Sequence, residues 1–108
     1  MLEFLNDYVS TLKKIYGVTL RKVILFGSYA RGDFNEESDI DIAILIDLNE
    51  MDVQNKDLEL SFCTYDFNQI HNSDVQPISI NYSQYVRWLK VHPFYKNIMC
   101  EGVTLYEQ

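Results

Sequence analysis

The residues best suited to chemistry lie in one stretch, FGSYARGDFNEESDID, from Phe26 to Asp41. Gly27 and Ser28 close one apolar run, and after ten further residues Asp39 and Asp41 open another, IDIAILI. A charge taken out of water needs a pairing partner or a metal ion, so an apolar strand does not accept carboxylates without cause. Residues i and i+2 of a strand share a face; Asp39 and Asp41 are therefore expected to project together while Ile40 enters the core. Two like charges at that spacing destabilise each other unless a cation lies between them. Hard oxygen ligands of this kind select Mg²⁺, which takes one or two carboxylates and completes its shell with phosphate oxygens. Gly27 has no Cβ and lets a ligand approach the backbone. Ser28 is expected to begin a helical turn whose free amides and hydroxyl receive an anion. A phosphate cradle beside a metal site serves nucleotidyl transfer, in which an acceptor hydroxyl attacks the α-phosphorus of a nucleoside triphosphate and pyrophosphate leaves.

Several elements must position these residues. Leu2, Leu5, Val9 and Leu12 recur at helical spacing, with Phe4, Tyr8 and Ile15 widening the stripe, so residues 2–16 read as a helix stopped by Gly17. Lys22 to Phe26 and Ile40 to Ile46 read as buried strands, joined through a polar segment from Ser28 to Glu37. The acidic stretch Asp47 to Asn55 reads as an exposed loop. Leu58 to Ile70, with apolar residues at 58, 62, 65, 67 and 70, reads as a helix, and Asn72-Ser73-Asp74 as a turn. Val75 to Tyr82 alternates as a strand, with Ile78, Ile80 and Tyr82 on one face and Pro77, Ser79 and Asn81 on the other. Pro77 withholds a ladder donor and favours an edge position or the start of the strand. Ser83 is placed to cap a helix running to Val91, Pro93 to open another that ends before Gly102, and Val103 to Tyr106 to form a last strand. Strands alternating with helices, without repeats or a linker, point to a single α/β or α+β domain over residues 1–108.

Composition narrows the field. At 108 residues the chain has room for one core, and 47% hydrophobic residues make it a folding sequence. Sixteen acidic against nine basic residues give a net charge of −7. That balance disfavours direct nucleic-acid binding, which needs a basic patch over the phosphates. It leaves a nucleotide open, since backbone amides and recruited cations can meet its phosphates. No run is apolar over the eighteen or so residues of a membrane span, and the N-terminal residues lack an apolar signal core, so a cytoplasmic protein is expected.

Gly27-Ser28, Ala30-Arg31-Gly32 and Ser38-Asp39-Ile40-Asp41 together resemble the signature of the minimal nucleotidyltransferases, a branch of the DNA polymerase β-like superfamily. The order of elements and the closing Glu101-Gly102-Val103…Tyr106 are similar as well. The resemblance implies a small mixed β-sheet with packed helices, and ATP or another NTP bound with Mg²⁺. It also implies pairing with a separately encoded HEPN protein as a toxin–antitoxin module, in which the nucleotidyltransferase is the antitoxin and can attach AMP to a tyrosine of its partner. Carried over by position, Gly27 and Ser28 would contact phosphates, Asp39 and Asp41 would hold metal and carry catalysis, and Arg31 would contact phosphate or anchor its helix.

The chain also departs from that pattern. The family has a third carboxylate on the next core strand, in a pattern like Pro-Val-Asp-Ile-Val, and Pro77-Ile78-Ser79-Ile80-Asn81 sets Ser79 in its place. A serine cannot take a proton at neutral pH or hold a second Mg²⁺ well. Three readings follow: transfer with two carboxylates and water as proton acceptor, a carboxylate from elsewhere such as Asp74 or a partner, or a fold that acts by binding and occlusion alone. Cys63 and Cys100 read as small buried residues or reduced thiols, and His71 and His92 as helix-end or loop residues. The tyrosines and Trp88 are scattered as core residues are. Tyr85, Trp88 and Leu89 at helical spacing read equally well as a core face or a partner-facing stripe.

Overall fold

The computed structural model describes residues 3–35 and 37–108; Leu2, read as part of the first helix, lies outside them. Helix α1 spans Leu5–Tyr16, and Leu5, Tyr8, Val9, Leu12, Ile15 and Tyr16 form its buried stripe. Gly17 ends it at φ 59°, a left-handed conformation that glycine adopts at little cost. A 3₁₀ turn leads into strand β1, Leu20–Phe26. Helix α2 is the single turn Ser28–Arg31, and strand β2 runs Ile40–Ile46, with the bounds read from its sequence.

The segment read as an acidic loop contains helix α3, Glu50–Asn55. Asn49 Oδ1 accepts from the Asp52 amide at 2.8 Å, Glu50 and Asp52 lie in the first turn, and Val53 is buried. The acidic residues there suit the positive end of a helix dipole. Helix α4 spans Asp57–His71 as expected, but its apolar side chains do not mark its buried face. Leu58, Phe62 and Tyr65 are 68, 65 and 63% exposed, whereas Leu60, Thr64 and Phe67 are buried. Thr64 can be buried because its hydroxyl and that of Tyr8 share a hydrogen bond of 2.8 Å. Lys56, between α3 and α4, donates from Nζ to the Ile15 carbonyl near the end of α1 at 2.9 Å.

Strand β3 spans Val75–Asn81 after a turn in which Asn72 takes φ 50°. Helix α5, Tyr82–Trp88, is capped by Asn81, whose Oδ1 accepts from the Gln84 amide at 2.8 Å. Ser83 lies inside the helix and is not its cap. Pro93 opens helix α6, Pro93–Glu101, and strand β4 is Val103–Glu107.

The strands form one mixed sheet in the order β3-β2-β1-β4. β1 is antiparallel to β2 and β4, and β3 is parallel to β2. Pro77 therefore sits on an edge strand, where a missing donor is tolerated. Val23, Leu25, Ile42, Ile44 and Ile46 pack on α1 and α4 on one face. Ile24, Ala43, Leu45 and Ile80 pack on α5 and α6, through Tyr85, Tyr95 and Ile98, on the other. Leu89 joins that second layer while Trp88 stays exposed. The two cysteines read as small buried residues or reduced thiols are both free, Cys63 half-buried and Cys100 exposed.

Candidate active site

The antiparallel register of β1 and β2 brings the two halves of the motif together. Phe26, the last residue of β1, pairs with Asp41, so the turn at Gly27 starts beside that carboxylate. Gly27 takes φ 74°, and the chain turns there into α2. The Gly27 carbonyl accepts from the Ala30 and Arg31 amides, both at 3.1 Å, and the Ser28 carbonyl from the Gly32 and Asp33 amides at 2.9 and 3.1 Å. A Cβ at Gly27 would collide with Asp41 Oδ2 and stand 3.2 Å from Asp41 Cγ. Glycine is thus required twice, by its backbone angle and by the carboxylate that lies against it.

Asp41 is half-buried and Asp39, just before β2, is exposed. Burial pushes the Asp41 carboxyl above the usual carboxylate range; the Arg31 guanidinium opposes this and Asp74 adds to it. Asp39 is also raised, first by hydrogen bonding to the Asp74 carboxyl and by that group's charge, then by partial desolvation and by Asp41. Asp74 stands there because β3 runs parallel to β2: the Ile40 amide donates to the Asp74 carbonyl at 2.9 Å. Its Oδ1 also accepts from Gln76 Nε2 at 2.6 Å.

Ser79 is not part of this constellation. The residue in register with Asp41 on β3 is Gln76, while Ser79 is in register with Ile44, three residues further along. Registered residues share a face, so Ser79 belongs to the face of α1 and α4, where its hydroxyl donates to Asp57 Oδ1 at 2.7 Å. Sequence spacing located the strand and set Ser79 at the position of the family's third carboxylate, but not its register against β2, which puts Gln76 and not Ser79 beside Asp41. Arg31 is held by acids: Nε lies 3.3 Å from Asp33 Oδ2 and a terminal nitrogen 3.6 Å from Glu101 Oε2. The second of these ties α2 to α6, a link between residues 70 positions apart that local spacing does not signal. Ser38 Oγ accepts from the Asn35 amide at 2.9 Å and folds the approach to Asp39.

Among the described residues no three His, Cys, Asp or Glu side chains gather as a metal cluster. The donor set at Asp39 and Asp41 is two carboxylates whose ionised forms are each disfavoured. That fits a hard cation that takes few protein ligands and completes its shell with phosphate oxygens and water.

Residues 5–95 match the sequence profile of the nucleotidyltransferase domain. The chain belongs to the nucleotidyltransferase domain family. It is 34% identical over 105 residues to a Methanocaldococcus jannaschii protein named as a predicted protein adenylyltransferase, MJ0604, covering 94% of each chain. A second protein of that organism under the same name, MJ0141, is 46% identical over 46 residues, covering 43% of this chain and 46% of the relative. In fold, the chain superposes on a Sulfolobus solfataricus protein described as a predicted nucleotidyltransferase with a TM-score of 0.62 at 23% identity, covering 100% of this chain and 81% of that one. It also superposes on a chain of a toxin–antitoxin complex determined with AMP-PNP, with a TM-score of 0.54 at 22% identity over 94% of this chain and 73% of that one. The mixed sheet with helices on both faces is the nucleotidyltransferase fold.

Proposed function

We propose that this nucleotidyltransferase transfers AMP from Mg²⁺–ATP to a hydroxyl of a partner protein, as the antitoxin of a HEPN pair. The observation that carries the reading is the Asp41 carboxylate lying against the bare backbone of Gly27. This supports reading the turn as an anion site and the carboxylate beside it as a cation ligand. Relatives named as protein adenylyltransferases support a protein acceptor, and fold neighbours in toxin–antitoxin complexes, one with a nucleotide analogue, support a partner. The reaction would take place in the cytoplasm, where ATP is supplied.

In this mechanism Gly27 and Ser28 would receive the phosphates at the start of α2, and Asp39 and Asp41 would hold Mg²⁺, which when bound would supply neutralising charge to the triphosphate. The acceptor oxygen bonds to the α-phosphorus, the bond from that phosphorus to the bridging oxygen breaks, and pyrophosphate leaves. Asp74, facing Asp39, takes the place of the third carboxylate and receives the hydroxyl proton. Arg31, engaged by Asp33 and Glu101, anchors α2 and lowers the cost of ionising Asp41.

The test is intact mass spectrometry of the neighbouring gene product, co-expressed with the wild type or with Asp39→Ala/Asp41→Ala. An AMP-sized adduct is expected with the wild type alone. In vitro, the double variant should transfer at least about a thousandfold more slowly, the loss of roughly 4 kcal/mol of charge stabilisation. Equal labelling by both forms would end the proposal. The amide at Gln76 favours one alternative, a binding module that neutralises its partner by occlusion; a stable complex with both forms and an adduct with neither would establish that reading instead.

A further inference from the structure

Among the described residues strand β3 has a sheet neighbour on one side only, β2. The Ile40-to-Asp74 hydrogen bond sets the phase of their parallel ladder. Gln76, Ile78 and Ile80 direct their backbone groups at β2, and Val75, Pro77, Ser79 and Asn81 direct theirs away. At one end the open edge is already satisfied by α4. Asn68 Oδ1 accepts from the Val75 amide at 2.9 Å, and Asn68 Nδ2 donates to the Val75 carbonyl at 3.2 Å. Among the described residues nothing does the same for the Pro77 carbonyl or for the amide and carbonyl of Ser79. Unpaired backbone groups on an edge are a template for another strand.

The edge is also framed as a channel. Ile78 to Asn81 border a cavity of about 550 Å³. Glu50, Val53 and Asp57 wall it on one side of the sheet, and Gln84, Phe94 and Tyr95 on the other. Its lining includes two carboxylates, Glu50 and Asp57, and neither lysine nor arginine. Phe94 also lines a smaller cavity, about 210 Å³, together with Gly27 and Arg31, so the channel abuts the phosphate turn. Gln76, in register with Asp41, is three residues from Ser79, about 10 Å along the strand.

We propose that the open edge of β3 takes an extended, basic segment of the acceptor protein as an added strand, and that this segment carries the acceptor hydroxyl toward Asp39 and Asp41. The inference rests on the protein-acceptor reading above. Main-chain hydrogen bonds to Pro77 and Ser79 supply affinity. Glu50 and Asp57, on the face of Ser79, select lysine or arginine, and alternate side chains fall on the opposite face, which holds Ile78, Phe94 and Asp41.

The test uses amide chemical shifts of the labelled protein, titrated with an acetylated heptapeptide of alternating lysine and valine with a central tyrosine. The Ser79 and Asn81 amides are expected to shift and saturate. A peptide N-methylated at alternate amides, and one with glutamate for lysine, should each bind about tenfold more weakly, the effect of losing one or two backbone hydrogen bonds or the charge match. Ser79→Pro should weaken binding similarly, whereas Ser79→Ala, which keeps the amide, should not. Asp39→Ala/Asp41→Ala should bind the peptide as the wild type does while failing in transfer, which separates this inference from the catalytic reading. Unmoved Ser79 and Asn81 amides, or equal binding of the N-methylated peptide, would overturn it. So would movement of those amides with Mg²⁺–ATP alone, or their burial in a dimer of this chain.

Discussion

The two faces of β2 divide the work of the molecule. Ile40, Ile42, Ile44 and Ile46 all point at α1 and α4 and are at most 4% exposed. Asp41, Ala43 and Leu45 point the other way and grade, within five residues, from a half-buried carboxylate to full core. A strand can do this because successive side chains alternate between faces. The first face can be sealed for stability while the second opens at one end to hold charge. The carboxylates sit where the strand begins, so neither has to be fully desolvated.

If the division holds, damage to the sealed face should cost stability and leave the site's chemistry intact per folded molecule. Ile44→Ala removes a side chain with no exposed surface and should destabilise by about 2–5 kcal/mol. In a domain of this size that lowers Tm by on the order of 10 °C. Calorimetry gives the loss, and ATP titration below the new Tm should return the wild-type affinity. A stable variant that no longer binds nucleotide would contradict the separation.

Gly27→Ala tests the seam between the faces. The backbone angle disfavours any L side chain by about 1–2 kcal/mol, and the new methyl meets the Asp41 carboxylate. Stability should fall by roughly that amount, while nucleotide binding is lost because Asp41 is displaced. Adding Asp41→Ala should recover part of the stability by relieving the clash, without restoring binding. Urea unfolding of the two single variants and the double one measures that coupling; strictly additive losses would mean the two residues do not touch.

Much of this was legible in the sequence, and the failures have physical causes. β2 could be bounded from its own residues because an unbroken β-branched apolar run admits few alternatives, and α6 because Pro93 and Gly102 punctuate it. α3 was hidden, since a short helix with one buried residue, Val53, has no periodicity to show. The buried face of α4 was misread because Thr64 is buried by a hydrogen-bond partner 56 residues away, while Leu58, Phe62 and Tyr65 stay in solvent. The constellation around Asp39 was only half legible. Gly27, Ser28, Asp39 and Asp41 are linked by local spacing, but the register of β3 is a long-range property. That register decides that Asp74 faces Asp39 and that Gln76, not Ser79, lies beside Asp41.

The smallest effect concerns the cost of keeping charge on the open face. The Asp39 carboxyl is raised above its ordinary value when folded, chiefly by Asp74. A group of that kind favours the folded state while protonated. Its contribution is fully present below the ordinary carboxylate pKa and is lost as pH rises through the raised folded value. At neutral pH the wild type therefore carries an ionised, disfavoured Asp39, and Asp39→Asn, which cannot ionise, should have the higher Tm. The gap should close as pH falls toward about 3, where the wild-type carboxyl is neutral in both states. Mg²⁺ with ATP should narrow it at neutral pH, by stabilising the wild type alone. A gap independent of pH would mean that the asparagine gains from its amide donating to Asp74, and that the site's charge costs the fold nothing.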